Sequence, residues 1–272
     1  MLRNVVIKIR LVHNLLYLSM EKTEIEETKE YLYYIYKAKN TLWYFNDLIK
    51  NGFSEYNSVK FQNTEGIYIW LENVKIEDNN YLGNLADSGL SQKIPINEVI
   101  DWMIIERGRL IGGYTIRSYR DTLNEDEKLN FDIDFGVTID DGNDFFKPDL
   151  STPEGAIIKI ENYYSDKNLE GILSCKNFLQ EAEILLEEKG LKVTEELKIQ
   201  VAETLKVSLI ESLQSNGFPY FKNIERIFTL EEKLNDRQLI KEKVIYPDGS
   251  ITFNKLWVGH SNGEWRVLNN VD

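Results

Sequence analysis

The sequence is poor in the side chains that most often do chemistry: 272 residues contain one cysteine, Cys175, and two histidines, His13 and His260. A single cysteine excludes an internal disulfide framework and fits a reducing cytoplasm, with Cys175 read as a small packed residue. So few soft and nitrogen ligands leave no basis for a zinc site, and no metal or other cofactor is expected. No phosphate-cradling loop is present, since Gly108-x-x-x-Gly112-Gly113 is embedded in strand patterns with no lysine and helix after it. No G-x-S-x-G elbow occurs either. Asp140-Asp141-Gly142-Asn143-Asp144 lacks the spacing and distal glutamate of a calcium loop, and reads as a solvated acidic loop. No apolar run is long enough to span a bilayer, so no membrane partner is expected. Basic residues are outnumbered: the formal charge is −13, and beyond the first nineteen residues it is −16. Such a surface repels nucleic-acid phosphate and leans toward neutral or basic partners.

What is present is enough for packed cores, with 42% apolar and 12% aromatic residues. Residues 1–19 carry Arg3, Lys8 and Arg10, then an apolar stretch broken by His13 and Asn14 with no cleavage motif; they read as a mis-assigned start or a weak leader. From Ile25 to Lys50 apolar residues recur at three- and four-residue intervals, predicting an amphipathic helix ended by Asn51-Gly52. Short strands follow at 58–62, 67–76, 81–85 and 92–96, separated by polar turns. The stretch from Asn97 to Arg117 then predicts a hairpin over 100–118, centred on Trp102, with Gly112-Gly113 marking a bend in the return strand. The expected architecture is α+β, a helix against a small curled antiparallel sheet.

The series Val59-Lys60-Phe61, Ile69-Trp70-Leu71, Gly83-Asn84-Leu85-Ala86, Ile100-Asp101-Trp102-Met103, Gly108-Arg109-Leu110 and Gly112-Gly113-Tyr114-Thr115-Ile116-Arg117 resembles the YegJ-like bacterial family, domain-of-unknown-function family 2314. The helix ending Ala38-Lys39-Asn40-Thr41-Leu42 and the later Arg120-Asp121 resemble it too. The resemblance covers about 26–136 and implies a fold unit, read as a domain over 20–136, and a bacterial origin; it brings no established activity. The family's acid–histidine pair before the second-strand tryptophan is missing, because Ile67-Tyr68-Ile69 precede Trp70. Any role of that histidine does not carry over.

Asn124 caps an expected short helix, while Phe131, Ile133, Phe135, Val137 and Ile139 alternate as a strand would; helix or strand over 131–139 stays open. Residues 137–151 read as an acidic linker. Ser151-Thr152-Pro153-Glu154 starts a helix and a second domain over 152–272. Helical patterns cover 169–188 and 194–213, and then the period changes to two, with strands at 226–234, 237–246, 251–259 and 264–269. Three helices followed by a four-stranded antiparallel meander, with Tyr163-Tyr164 at one end and Leu256-Trp257-Val258-Gly259 and Gly263-Glu264-Trp265-Arg266-Val267 at the other, resemble the nuclear transport factor 2-like cone. That resemblance implies a second α+β domain with a possible pocket. Glu161, Asp166 and Glu170 read as a solvated helix face rather than an acid pair.

Two functions follow from these residues. One is a non-catalytic, cytoplasmic protein-binding protein of immunity or accessory kind, with a basic protein partner met in part through Asp101 and Trp102. The other is a small-molecule binder or enzyme whose apolar ligand sits among Tyr163, Tyr164, Trp257 and Trp265, the two tryptophans being expected on adjacent strands facing a common core or pocket.

Overall fold

A computed structural model describes residues 28–52 and 55–271, so the reading of 1–19 falls outside the described residues. The chain is α+β and divides into two compact units between Phe145 and Phe146.

In the first unit, helix α1 (Lys29–Lys50) begins at Thr28, whose side chain accepts from the Tyr31 amide at 3.1 Å, and ends at Asn51-Gly52. It lies on a six-stranded antiparallel sheet of order β4-β3-β2-β1-β5-β6, built from β1 (Tyr56–Gln62), β2 (Tyr68–Glu77), β3 (Asn80–Leu85), β4 (Ser91–Pro95), β5 (Val99–Glu106) and β6 (Arg109–Gly112). Direct pairing of Val59 with Leu71 and Trp102 puts those three on one face. They form one core with Ala38 and Phe45 of α1. The neighbouring row, Lys60 with Trp70 and Asp101, must face the other way because strand side chains alternate. On that second face Trp70, Met103 and Ile105 meet Ile116, Phe135, Val137 and Ile139 in a second core. Both faces are covered, which is why β5 reads as an almost unbroken apolar run.

The return strand differs from expectation. It stops at Gly112, and residues 114–121 form helix α2 (Tyr114–Asp121) rather than more strand. Gly112 and Gly113 have φ of 70° and 65°, a left-handed pair that turns the chain out of the sheet. The Gly113 amide still donates to the Trp102 carbonyl at 2.7 Å, so the turn is pinned to β5. Helix α3 (Glu125–Phe135) opens with a reciprocal capping box between Asn124 and Glu127 and closes at left-handed Gly136. The 131–139 stretch is therefore both: Phe131 and Phe135 reach the second core at helical spacing, and Val137 and Ile139 reach it from extended chain.

The stretch expected as an acidic linker is largely part of the first unit. Thr138 forms a parallel bridge to Arg109, closing the β6 edge, and Val137, Ile139 and Asp144 are buried. The expected solvated loop spends its acids on cations: Asp144 pairs with buried Lys37 at 2.7 Å and Asp140 with Arg109 at 2.5 Å. The Asp140 carbonyl also accepts from Arg117, whose guanidinium donates to the Gly112 and Leu110 carbonyls at 2.9 and 2.8 Å.

The second unit has four helices where three were expected. Helix α4 (Pro153–Ser165) starts at a Thr152 cap with proline in its first turn. The pattern over 169–188 splits into α5 (Leu169–Ser174) and α6 (Phe178–Glu188), because Asn177 caps a new helix and Cys175 and Asn177 exchange backbone hydrogen bonds with Val267. Helix α7 (Glu195–Asn216) starts at Thr194. The meander is as expected: β7 (Glu225–Lys233), β8 (Arg237–Ile245), β9 (Ile251–Ser261) and β10 (Glu264–Asn270), in the order β10-β9-β8-β7. Phe228, Ile240, Val244, Val258 and Val267 are buried on the face that α4 covers.

Gly112→Ala tests the pinned turn. A Cβ there would lie 2.6 Å from the Trp102 ring and carbonyl, at a φ that L residues resist. Combined backbone strain and overpacking should cost about 3 kcal/mol. Urea denaturation followed by tryptophan fluorescence reads this, and a change within measurement error would show the turn to be slack.

Candidate functional site

Asp101 and Trp102 sit at the centre of the first unit, and neither exposes any surface. Successive β-strand side chains point to opposite faces, so the two work in opposite directions. The Trp102 indole N–H donates to the Ala38 carbonyl and to the Thr41 hydroxyl, both at 3.1 Å, fastening α1 to the sheet. Asp101 Oδ1 accepts from the backbone amides of Trp102 at 2.8 Å and Tyr114 at 3.1 Å. Its Oδ2 accepts from the Thr115 amide and hydroxyl, both at 2.7 Å. Three of the amides a helix start leaves without intrahelical partners lie at this position, and Asp101 satisfies two of them from a neighbouring strand. The charge facing the carboxylate is that of Lys60, opposite on β1. Burial raises the Asp101 pKa, opposed by the Thr115 hydrogen bonds and Lys60. Burial lowers Lys60 to about 8, opposed by Asp101. Lys60 Nζ lies 3.3 Å from the Thr115 hydroxyl and within 5.6 and 5.8 Å of the Tyr68 and Trp70 ring centroids. A lysine so tuned has the chemistry of a nucleophile, yet it is 5% exposed and closed in by aromatic rings. In this conformation a partner reaches neither Asp101 nor Trp102.

The four residues expected to wall one pocket of the second unit do not converge. Trp265 pairs with His260 and Val267 with Val258, without a shift between them. Trp257 is an odd number of residues from His260, so it faces the opposite side of the sheet from Trp265. It stacks under Arg237 at 5.1 Å, while Trp265 lies 4.7 Å from the His260 ring. Tyr163 lies flat against Gly171, where any Cβ would meet its ring at 2.5 Å. Tyr164 is pushed up to about 12 by burial first, then by Cys175, Glu161 and Glu181.

An acid pair that the sequence reading set aside lies on the covered face. Arg226 of β7 bridges Glu161 of α4 at 2.7 Å and Glu242 of β8 at 3.2 Å, and Asn254 donates to Glu242 at 3.2 Å. Glu161 is 4% exposed and Glu242 fully buried. Desolvation, then repulsion from Glu242, drives the Glu161 pKa well above its ordinary value against the pull of Arg226. One guanidinium cannot neutralise two carboxylates, so the pair retains a proton where a free glutamate would have lost it. Asp166 and Glu170 take no part; Asp166 pairs with Lys222 at 2.9 Å instead. The signal for Glu242 was in the sequence, because strict alternation along β8 places it between Ile240 and Val244 on the apolar face.

A cleft of about 420 Å³ opens elsewhere in this unit, lined by Asn177, Gln180, Glu183, Arg237, His260 and Ser261 among others. Its polar groups bond one another: Asn177 donates to Ser261 at 3.1 Å and Gln180 to the Asp236 carboxylate at 3.1 Å. The Cys175 thiol is buried and its pKa raised by that burial, the condition of a packed thiol rather than a nucleophile. Among the described residues no cluster of three or more His, Cys, Asp or Glu side chains could hold a metal ion, and no helix is long and apolar enough to cross a membrane.

Residues 33–139, which contain both cores of the first unit, match a family model described as "Uncharacterized protein conserved in bacteria (DUF2314)". This segment is a DUF2314 domain. A "putative ankyrin repeat protein" from Neisseria meningitidis serogroup B is 24% identical over 123 residues, 42% of this chain and 44% of that protein. The chain thus spans less than half of that relative's length. Among solved structures, a "putative NTF2-like transpeptidase" from Campylobacter jejuni is similar at 15% identity, covering 44% of this chain and 99% of that chain with a TM-score of 0.28. The DUF2314 domain holds the Asp101–Thr115–Lys60 chain entirely within itself.

Two substitutions test these networks. Asp101→Asn keeps the shape but turns an N–H₂ toward amide donors and strands Lys60, and should cost about 3 kcal/mol of first-unit stability in urea melts; an unchanged midpoint would remove the clamp. For Glu161, the folded pKa lies above the unfolded one, so the folded state holds the extra proton. Its contribution is fully present below the unfolded value near 4.5 and fades as pH rises through the folded value. Second-unit stability should therefore fall with rising pH from that point, and Glu161→Gln should flatten the curve; parallel curves for both proteins would contradict the shared proton.

Proposed function

We propose that the chain is a non-catalytic protein-binding protein of bacterial immunity or accessory kind, working in a reducing cytoplasm and taking a basic protein as partner. The observation that carries this reading is where the charges go. Inside both units the reactive groups are closed off and satisfied by one another, as with Lys60, Asp101, Glu161 and Glu242. The buried acids outnumber the buried bases only slightly, so most of the net charge of −13 lies outside these buried groups. An acidic surface steers and orients a cationic partner and needs no reactive residue to do so. The DUF2314 relationship is compatible with this reading and supplies no competing activity.

A second reading has one specific observation in its favour: the buried Glu161–Arg226–Glu242 arrangement is the kind of tuned acid that a small-molecule site uses. In that reading the ligand lies in the second unit beside this arrangement.

Native mass spectrometry of the chain isolated gently from its own cells at low salt separates the two. A stoichiometric basic protein is the expected result. A retained small molecule in place of a protein would favour the second reading, and a bare chain under these conditions would count against a tight partner.

A further inference from the structure

Helix α7 is the element of this fold whose composition and burial disagree. Its 22 residues include Leu197, Ile199, Val201, Leu205, Val207, Leu209, Ile210 and Leu213, distributed around the whole helix, yet only Ala202 and Leu213 are buried. A helix apolar on all sides is ordinarily enclosed. Here the side carrying Ala202, Leu205, Leu209 and Leu213 is the packed one, and α6 is its main neighbour. At 100° per residue, Ile199, Glu203, Val207 and Ile210 fall on an adjoining stripe. Ile199 and Val207 are 53% and 48% exposed.

The charges in and beside this stripe differ in exposure by sign. Lys198 is turned inward, its side chain 16% exposed and held by Glu195 at 2.7 Å and Glu183 at 3.7 Å. The glutamates face water: the Glu195 side chain is 79% exposed and that of Glu203 65%, and Glu196 and Glu211 are exposed as well. Lys206, on the same helix, lies 3.8 Å from Glu203.

We infer that this stripe of α7 is the docking surface for the basic partner, and that the partner presents a cationic amphipathic helix. This deepens the protein-binding reading above and rests on it. Ile199, Val207 and Ile210, with Glu203 among them, receive apolar side chains at the matching interval of a second helix. Glu203 within the stripe and the exposed glutamates beside it meet lysines and arginines of that helix, and would repel an acidic partner or a second copy of this chain.

The test uses the full chain and a fluorescent synthetic helix of about 20 residues made of leucine and lysine in heptads, followed by anisotropy at low salt. The wild-type chain should bind it. Ile199→Ser with Val207→Ser should weaken binding about tenfold, and Glu203→Lys should weaken it and flatten its salt dependence. Because all three positions are solvent-exposed, circular dichroism should show unchanged folding. Equal binding by the variants, or equal binding of a peptide with the same composition and its leucines scattered around the helix, would overturn the inference. So would a wild-type dimer that the double variant converts to monomer, since a second copy would then own the stripe. A natural basic partner whose affinity ignores these variants would sink the α7 surface and leave the protein-binding reading standing; a chain that takes up neither peptide nor partner would sink both.

Discussion

One buried carboxylate organises the first unit. Asp101 receives four hydrogen bonds, two from the amides that begin α2 and two more from the Trp102 amide and the Thr115 hydroxyl, in a place that water does not reach. Leaving those donors unpaired would cost about 1–3 kcal/mol each, so the strand and the helix start are bound to one another. Lys60 supplies the compensating charge, and its own burial is tolerated because Asp101 lies across the strand pair. The next residue, Trp102, does the corresponding work on the opposite face by gripping the α1 backbone. Two adjacent side chains thereby hold a layer on each side of the same sheet.

The second unit repeats the principle with a different balance. Glu161 and Glu242 share one guanidinium, leave an unmatched acid, and settle it by retaining a proton. In both units the polar chemistry is turned inward and joined to the architecture. What remains open to a second molecule includes the acidic exterior, the under-buried helix α7 and the cleft beside His260, and the protein-binding role proposed above draws on the first two.

The elements were legible in the sequence where local signals agreed with tertiary ones. Asn124 and Thr152 cap the helices their sequences announce, and the turns Asn235-Asp236 and Asn262-Gly263 delimit the meander strands. The failures have physical reasons. Tyr114 to Arg117 alternates like a strand, but two left-handed glycines and a carboxylate from thirteen residues earlier make it a helix. The acids of 140–144 looked solvated because their cations, Lys37, Arg109 and Arg117, are distant in sequence or lie across a turn. The opposed tryptophans were readable in principle: a two-residue turn at Asn262-Gly263 pairs Trp265 with His260, and parity then sends Trp257 to the other face. The Glu161 partner was harder, since it required knowing which strand α4 covers.

Native-state hydrogen exchange at the amides of Trp102, Tyr114 and Thr115 bears most directly on whether Asp101 is a structural clamp or a surface offered to partners. If the clamp holds the first unit together, these three amides exchange only when the whole unit unfolds, with the same free energy as the slowest amides of β1 and β5. Exchange through a local opening at much lower free energy, with the rest of the sheet still protected, would contradict that account and return Asp101 and Trp102 to the set of residues a partner can reach.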